Sequence, residues 1–257
     1  MLLAIDIGNS LMKFGVIEGT ELKDKFAIPT HRDYEADELL FDRLRRVEER
    51  FLVIDRVIVS SVVPEMQTTV TDACRELFNV TPTVVDNTWD FRFTIDYDLP
   101  SSLGTDRLVN AFAAVAKYGS PVIICSLGTA TTVDAVNSSG VFLGGMIAPG
   151  MGTMSEALRL KTSNLPQIRI EKPETVIGNS TDSSIRSGIY FGYIGLVSEM
   201  IARLRNEIAR IDGVAAARIK VIASGGFANL VTPEIVDISV VEENLTLDGL
   251  RLLAVGL

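Results

Sequence analysis

The chain has 257 residues, of which 47% are hydrophobic and 22% charged, and its formal net charge is −9. That length is sufficient for one large hydrophobic core or for two smaller ones. The mixed composition excludes a disordered or low-complexity chain. The acidic balance argues against a nucleic-acid partner, because no basic stripe offsets it.

The N-terminus has no basic segment, and no apolar run approaches the roughly 18 residues of a membrane-spanning helix. We therefore expect a cytoplasmic protein without a membrane partner. Cys74 and Cys125 lie in apolar segments, which predicts buried, inert thiols. His31 lies in a polar loop and is expected to face solvent. One histidine and two distant cysteines cannot form a zinc site or a Cys–His nucleophile pair.

The first 117 residues alternate between strand and helix patterns. Two apolar runs joined at Gly8-Asn9 predict a β-hairpin. The predicted elements are, in chain order, strands at Leu2–Ile7, Leu11–Glu18 and Thr20–Pro29, a helix at Tyr34–Phe51, a strand at Arg56–Val63, a helix at Met66–Phe78, a strand at Thr83–Val85, a loop through Pro100, and a loop that opens into a helix within Ser101–Lys117.

A second cycle of strands and helices follows. Its predicted elements are strands at Pro121–Leu127, Ala130–Asn137 and Val141–Ala148, a helix that opens at Pro149–Thr153 and ends near Arg159, a long helix within Thr181–Ile211, a strand at Lys220–Ala223 and a turn at Ser224–Gly226 that leads into a short helix. Strands that alternate with helices predict an α/β architecture.

The two cycles repeat a short pattern. Ile5–Ser10 and Cys125–Ala130 each run from an apolar strand through one polar and one apolar residue to a glycine and a small hydroxyl- or amide-bearing residue. Each copy opens its own series of strands and helices. We therefore predict a duplicated α/β fold whose halves, 1–117 and 118–257, enclose a central cleft.

The first candidate motif is Asp6-Ile7-Gly8-Asn9-Ser10 with Lys13. A glycine at a turn allows backbone N–H groups to approach a phosphate, and the Asn, Ser and Lys side chains can donate to it. An aspartate at the end of a buried strand suits Mg²⁺ or its water ligands. The alternative is an Asp-Gly turn that only stabilises the hairpin, with a solvated lysine.

The second candidate motif is Leu127–Thr132, which contains Gly128 and Thr129. It supplies a second turn rich in hydroxyls and backbone donors, so that two hairpins could hold a polyphosphate between them. The alternative is that the threonines reflect β-propensity alone.

The third candidate motif is Gly104-Thr105-Asp106-Arg107, directly before a predicted helix. Phosphorylation of a hydroxyl needs an acid that accepts its proton and benefits from a cation that holds the substrate; Asp106 and Arg107 fit these roles. The alternative is helix capping by Thr105 or Asp106.

The fourth candidate motif is Ser224-Gly225-Gly226-Phe227, between a strand and a helix. Paired glycines allow a flat ring or a sugar to lie against the backbone, as an adenosine site requires. A plain strand-to-helix turn explains the same residues.

Taken together and in this order, the motifs resemble those of type III pantothenate kinases, a family of the acetate/sugar-kinase, chaperone and actin superfamily. The stretches that carry the resemblance span nearly the whole chain. They are IDIGNS at 5–10, SSVVP at 60–64, GTDR at 104–107, LGTATTVD at 127–134, GGMIAPGM at 144–151, IGNST at 177–181, SGIYFGY at 187–193, SGGF at 224–227 and LTLDGL at 245–250.

The resemblance implies a duplicated ribonuclease-H-like fold of the actin/hexokinase type and the ATP-dependent phosphorylation of pantothenate, the first step of coenzyme A synthesis. It also implies a homodimer with the active site near the interface. The implied catalytic base is Asp106. The implied ATP-binding residues are Asp6 (near Mg²⁺), Gly8, Asn9, Ser10, Lys13, Gly128, Thr129, Gly225 and Gly226; the implied pantothenate-binding residues are Tyr97, Gly104, Thr105, Arg107 and Thr181.

One position departs from the family pattern. The family has an acid two residues before the glycine of the second phosphate motif, where it binds a monovalent cation such as K⁺ or NH₄⁺; here the residue is Ser126. A hydroxyl is a weak, neutral ligand. The enzyme has therefore either lost or relocated its cation dependence, or it is a catalytically weak, regulatory relative.

Three functions fit the sequence. The first is pantothenate kinase. The second is a kinase of the same fold that acts on another small alcohol, because fold does not determine substrate. The third is a nucleotide-binding regulatory protein without turnover, which the serine at position 126 allows.

Overall fold

The structure is a computed structural model that describes residues 1–30, 34–51 and 53–255. His31, which was predicted to face solvent, lies outside the described residues. The chain forms two compact units, neither of which is continuous in sequence. The first unit comprises Met1–Arg92, Asp98–Ala113 and Asn244–Leu257; the second comprises Phe93–Tyr97 and Ala114–Glu243.

The described residues form eleven β-strands and seven α-helices. The strands are β1 (Leu2–Ile7), β2 (Leu11–Glu18), β3 (Glu21–Pro29), β4 (Arg56–Ser61), β5 (Thr83–Val85), β6 (Thr94–Ile95), β7 (Val122–Leu127), β8 (Ala130–Val136), β9 (Val141–Pro149), β10 (Lys220–Ser224) and β11 (Val240–Val241). The helices are α1 (Tyr34–Arg50), α2 (Pro64–Phe78), α3 (Thr105–Tyr118), α4 (Met151–Lys161), α5 (Thr181–Asp212), α6 (Ala228–Val231) and α7 (Leu245–Ala254).

The first unit is built on a five-stranded sheet with the order β3-β2-β1-β4-β5. The central strand β1 is buried along its whole length, which explains why its sequence is apolar without alternation apart from Asp6. One face of the sheet packs against α1 and α2 in a core that includes Ile5, Ile7 and Val59. Helix α7 packs on β1, β2 and β4.

The second unit is built on a six-stranded sheet with the order β11-β10-β7-β8-β9-β6. Its core gathers residues of β7, β8 and β10 and the buried side of the long helix α5, including the fully buried rings of Tyr190 and Tyr193. Both described cysteines are buried and free, as predicted, and burial raises the pKa of Cys74 to about 12.

The two sheets share one topology. Strands β9-β8-β7-β10-β11 repeat the order β3-β2-β1-β4-β5 with the same parallel and antiparallel pairs. The predicted duplicated α/β fold is therefore confirmed.

Three elements of the fold were not predicted. Strands β6 and β11 contain two residues each, too few for any periodicity to appear. Helix α7 covers a segment that the sequence analysis left without an assigned structure. No helix among the described residues is long and apolar enough to cross a membrane.

Local signals explain where the long helix begins and ends. The side chain of Ser180 accepts a hydrogen bond from the backbone N–H of Ser183, and the Ser183 hydroxyl accepts one from the backbone N–H of Ser180. This capping box places Thr181 in the first turn of α5. Gly213 ends the helix with a φ of 65°, a left-handed conformation that suits glycine.

Candidate active site

Asp6 is the second-last residue of β1, the central strand of the first unit, and is buried. The hairpin register places Lys13 beside it, and the lysine Nζ lies 3.6 Å from the Asp6 carboxylate. Burial raises the pKa of Asp6 to about 6; the Lys13 charge opposes the rise and the nearby Asp106 carboxylate adds to it. Asp6 is therefore mostly ionised at neutral pH and has a cation next to it.

Asp106 lies in the first turn of α3 and belongs to the same group of charges. Its Oδ1 accepts a hydrogen bond of 2.9 Å from the backbone N–H of Arg107. A Cβ at Gly104 would lie 2.7 Å from the same oxygen, so the glycine leaves the space that the carboxylate occupies. Burial raises the pKa of Asp106, and the Arg107 N–H and guanidinium oppose the rise. A carboxylate of raised pKa is suited to accept a proton at neutral pH.

The turn after β4 holds these two regions in place. The Val62 N–H donates to the Ile7 carbonyl at the end of β1, 3.0 Å away. The Thr105 hydroxyl donates to the Ser61 carbonyl, 3.2 Å away. The end of the strand that carries Asp6 and the start of the helix that carries Asp106 are therefore both tied to one turn.

Gly8, Asn9 and Ser10 form the tip of the first hairpin. The Gly8 N–H donates to the Leu11 carbonyl, so this donor is used within the turn itself. Asn9 and Ser10 are exposed. The Thr30 hydroxyl donates to the Gly8 carbonyl at 2.7 Å, which joins the tip to the end of β3.

In the second unit, the hairpin between β7 and β8 meets the segment that leads into α4. The Thr129 carbonyl accepts hydrogen bonds from the Gly150 N–H at 2.9 Å and from the Thr153 hydroxyl at 2.6 Å. A Cβ at Gly150 would lie 1.9 Å from the Gly128 carbonyl oxygen, so the two backbones approach as closely as only glycine allows.

The turn after β10 meets the same hairpin from another side. The Phe227 N–H donates to the Leu127 carbonyl at 3.1 Å. Gly225 has a φ of 103°, and a Cβ there would lie 2.5 Å from that carbonyl oxygen. Gly226 is exposed and has open space beside it. The structure therefore brings three backbone segments of the second unit together, two of which the sequence analysis had singled out for the nucleotide.

The sequence analysis did not assign Gly150 and Thr153 to the site, although both donate hydrogen bonds to the Thr129 carbonyl. Their segment stood among the stretches that carry the family resemblance, but no role followed from it. The sequence feature that could have indicated a close backbone approach is the pair of glycines, Gly150 and Gly152, at the start of a helix. The close approach to Thr129 depends on backbone geometry about twenty residues away in sequence, which local patterns do not encode.

The two hairpins differ in length. The turn between the paired residues Ile7 and Met12 is one residue longer than the turn between Leu127 and Thr131. The alignment of Ile5–Ser10 with Cys125–Ala130 is therefore wrong after Gly8 and Gly128. The shorter second turn shifts the equivalence of all later residues of the two hairpins by one position.

Ser126 is the second-last residue of β7, the central strand of the second unit, and Asp6 has the same position in β1. Its register partners are Thr132 on β8 and Ser224 on β10, whereas Asp6 lies opposite Lys13. The second unit therefore presents hydroxyl groups where the first presents an ion pair.

The residues expected to bind the acceptor are divided between the units. Gly104, Thr105 and Arg107 belong to the first, and Tyr97 and Thr181 to the second. The Tyr97 ring lies over Gly144, where a Cβ would be 3.1 Å from the ring. Thr181 is exposed at the start of α5.

Asp6 fits the requirements of a magnesium ion better than those of a transition metal. Among residues 1–30, 34–51 and 53–255, no three His, Cys, Asp or Glu side chains come together as ligands. Magnesium commonly uses one or two carboxylates, several waters and substrate phosphates, and does not need such a cluster. A single buried carboxylate beside a lysine is consistent with this pattern.

The repeated sheet order, with a glycine turn after the central strand of each unit, defines a duplicated α/β protein of the actin/hexokinase type. Two solved structures share the fold. One is a conserved putative Baf family transcriptional activator from Campylobacter jejuni, with a TM-score of 0.60, 17% identity and coverage of 99% of this chain and 98% of that one. The other is the ethanolamine utilization protein EutJ from Carboxydothermus hydrogenoformans, with a TM-score of 0.53, 13% identity and coverage of 98% and 89%.

Sequence comparisons identify the family. The family model for type III pantothenate kinase matches residues 2–203. The type III pantothenate kinase of Citrifermentans bemidjiense is 39% identical over 256 residues, which cover 98% of both chains. That of Koribacter versatilis is 38% identical and covers 98% of this chain and 94% of its own. The chain belongs to the type III pantothenate kinase family.

Proposed function

We propose that this protein transfers the γ-phosphate of ATP to the hydroxyl group of pantothenate, giving 4′-phosphopantothenate for coenzyme A synthesis, and that it acts in the cytoplasm. Family membership supports the reaction. The observation that carries the proposal is the position of Asp106, partly buried at a helix start and electrostatically coupled to Asp6 and Lys13. Recovery of the protein in a membrane or secreted fraction of its cells would contradict the cytoplasmic assignment.

In this proposal Asp106 accepts the proton of the attacking hydroxyl. Its pKa is raised by burial, so that the carboxylate gains basicity while the Arg107 N–H keeps it oriented. Arg107 supplies the fork that would hold the pantothenate carboxylate. Gly104 and Thr105 position the start of the helix, and Tyr97 and Thr181 of the second unit are proposed to contact pantothenate.

The first hairpin is proposed to bind the triphosphate. Lys13 would pair with phosphate oxygens, and Asn9 and Ser10 would donate from the exposed tip. Asp6 would hold water ligands of Mg²⁺. When bound, Mg²⁺ neutralises charge on the phosphates during transfer.

Two of the backbone segments that meet in the second unit, the turn at Gly128-Thr129 and the turn at Gly225-Gly226, are proposed to bind the rest of the nucleotide. Gly128 and Thr129 present a turn whose backbone is fixed by Gly150. Gly225 and Gly226 provide a surface without side chains, against which a ribose or an adenine ring can lie.

The monovalent cation of the family is proposed to be dispensable here. Ser126 is neutral, and its register partners Thr132 and Ser224 add only hydroxyl groups. A hydroxyl binds K⁺ more weakly than a carboxylate does, because it contributes no charge.

Purified protein with Mg²⁺ and ATP should release ADP only when pantothenate is present, at equal rates in K⁺ and in Na⁺, as a coupled ADP-release assay would measure. Strong stimulation by K⁺ would contradict the cation proposal alone. Turnover with another small alcohol but not with pantothenate would show that the proposed substrate is wrong. Nucleotide binding without any turnover would favour the hypothesis that the chain is a regulatory protein.

We also propose that the protein is a homodimer. Val176 and Ile177, in the segment before Thr181, are 67% and 85% exposed, and large exposed apolar side chains side by side mark contact surfaces. Light scattering should give twice the chain mass of 27.9 kDa, and Ile177→Asp should shift the protein toward monomer. A monomeric wild-type protein would exclude the dimer.

A further inference from the structure

Ser60 is a buried serine to which the sequence analysis and the proposed reaction assign no role. It lies in β4 and has no exposed surface. Within the part of the chain that the structure describes, its hydroxyl has no hydrogen-bond partner. Buried polar groups in folded proteins almost always have one, so a buried hydroxyl without a partner calls for a functional or structural reason.

The strand register places this hydroxyl next to Asp6. In the parallel pair of β1 and β4, Asp6 lies directly opposite Ser60. Ile5, Ile7 and Val59 point into the core under α1 and α2, so Asp6 and Ser60 lie together on the other face. Adjacent strands are about 4.8 Å apart, a separation that a serine and an aspartate bridge with a hydrogen bond after rotation about χ1.

Asp6 therefore has a polar neighbour on each side. On β2, Lys13 contacts its carboxylate at 3.6 Å. On β4, Ser60 presents a donor of fixed backbone position, because the turn that follows is tied to β1 by the hydrogen bond from Val62 to Ile7. The Lys13 side chain is 42% exposed, whereas Ser60 is fully buried.

We propose that Ser60 is a positioning residue for Asp6: its hydroxyl donates to the Asp6 carboxylate when the divalent cation and the nucleotide are bound, and holds the carboxylate in the orientation that binds the water ligands of the cation. This rests on the proposed function, in which Asp6 faces the cation. Groups that orient metal-binding carboxylates by hydrogen bonds commonly determine metal affinity. The Lys13 ammonium is then free to turn from Asp6 toward the phosphates.

The proposal predicts that Ser60→Ala weakens binding of the divalent cation without destabilising the free protein. Without ligand, the variant should melt at the same temperature as the wild type or higher, because it removes a buried hydroxyl that lacks a partner. With ADP present, its affinity for Mn²⁺, measured by electron paramagnetic resonance as a probe of the divalent site, should fall by roughly tenfold.

Two further variants sharpen the test. Ser155→Ala removes another buried hydroxyl without a partner, from α4, and should leave Mn²⁺ affinity unchanged. Ser60→Cys keeps the side-chain shape at a slightly larger volume and supplies a weak S–H donor, so its loss of affinity should be smaller than that of Ser60→Ala.

Unchanged Mn²⁺ affinity in Ser60→Ala would overturn the proposal, whatever the melting temperature. Equal losses in the Ala and Cys variants would overturn it as well, because they would reflect altered packing. The outcome is separable from that of the proposed function: a wild-type protein that binds Mn²⁺ and ADP but does not phosphorylate pantothenate would refute the substrate assignment, while the Ser60 comparison could still be read.

Discussion

Asp106→Asn should lower kcat for pantothenate phosphorylation by about a hundredfold or more, because the amide cannot accept the proton of the hydroxyl. Its side-chain oxygen can still accept the hydrogen bond from the Arg107 N–H that the carboxylate accepts now. The shape of the site is therefore kept, and the KM for ATP should change by less than about threefold. Single-turnover measurements with Mg²⁺ and ATP would separate the chemical step from binding.

A control must separate catalysis from helix stabilisation, since an acid in the first turn also stabilises the helix by its interaction with the helix dipole. Glu65 is the second residue of α2, as Asp106 is of α3, and it belongs to the same compact unit. Glu65→Gln removes a first-turn charge from a residue to which the proposed reaction assigns no role, so its turnover should match the wild type. If Asp106→Asn turns over normally and loses only about 0.5–2 kcal/mol of stability, as a lost helix cap would, Asp106 is not the base.

The major elements of the fold follow from local patterns in the sequence. The hairpin of β1 and β2 is specified by two apolar runs on either side of Gly8-Asn9, and α5 by a serine pair at its start. Such signals involve residues within a few positions of one another. The repeat of the two halves was visible for the same reason, because each copy places a glycine directly after a buried strand.

Contacts between residues of the candidate site were predictable from local patterns only where the residues are neighbours across a hairpin. Lys13 faces Asp6 because a short antiparallel turn leaves few choices of register. The parallel partner Ser60 is more than fifty residues away, and no local pattern pairs β4 with β1 at one register. The same holds for the contact of Thr129 with Gly150, which appears only once the backbone is folded.

Gly150→Ala should disrupt the loops of the second unit that are proposed to bind the nucleotide. The added Cβ would lie 1.9 Å from the Gly128 carbonyl oxygen and 2.7 Å from that of Thr129, both backbone atoms that a side-chain rotation cannot move away. Overpacking of this kind commonly costs about 1–3 kcal/mol. We expect a lower melting temperature. The affinity for ADP should also fall by about tenfold or more, because the displaced backbone is the turn proposed to hold the nucleotide, and a loss of about 1.4 kcal/mol of binding free energy corresponds to a factor of ten.

Gly152→Ala is the matched control, two residues further along the same segment. Its Cβ would lie 3.8 Å from the Phe227 ring, an ordinary contact, so ADP affinity and melting temperature should stay near the wild-type values. Calorimetric titration with ADP and thermal unfolding of both variants would make the comparison. If both alanines weaken ADP binding equally, the effect comes from helix α4 itself; if Gly150→Ala binds ADP normally, the close approach of Gly150 to the hairpin has no part in holding the nucleotide.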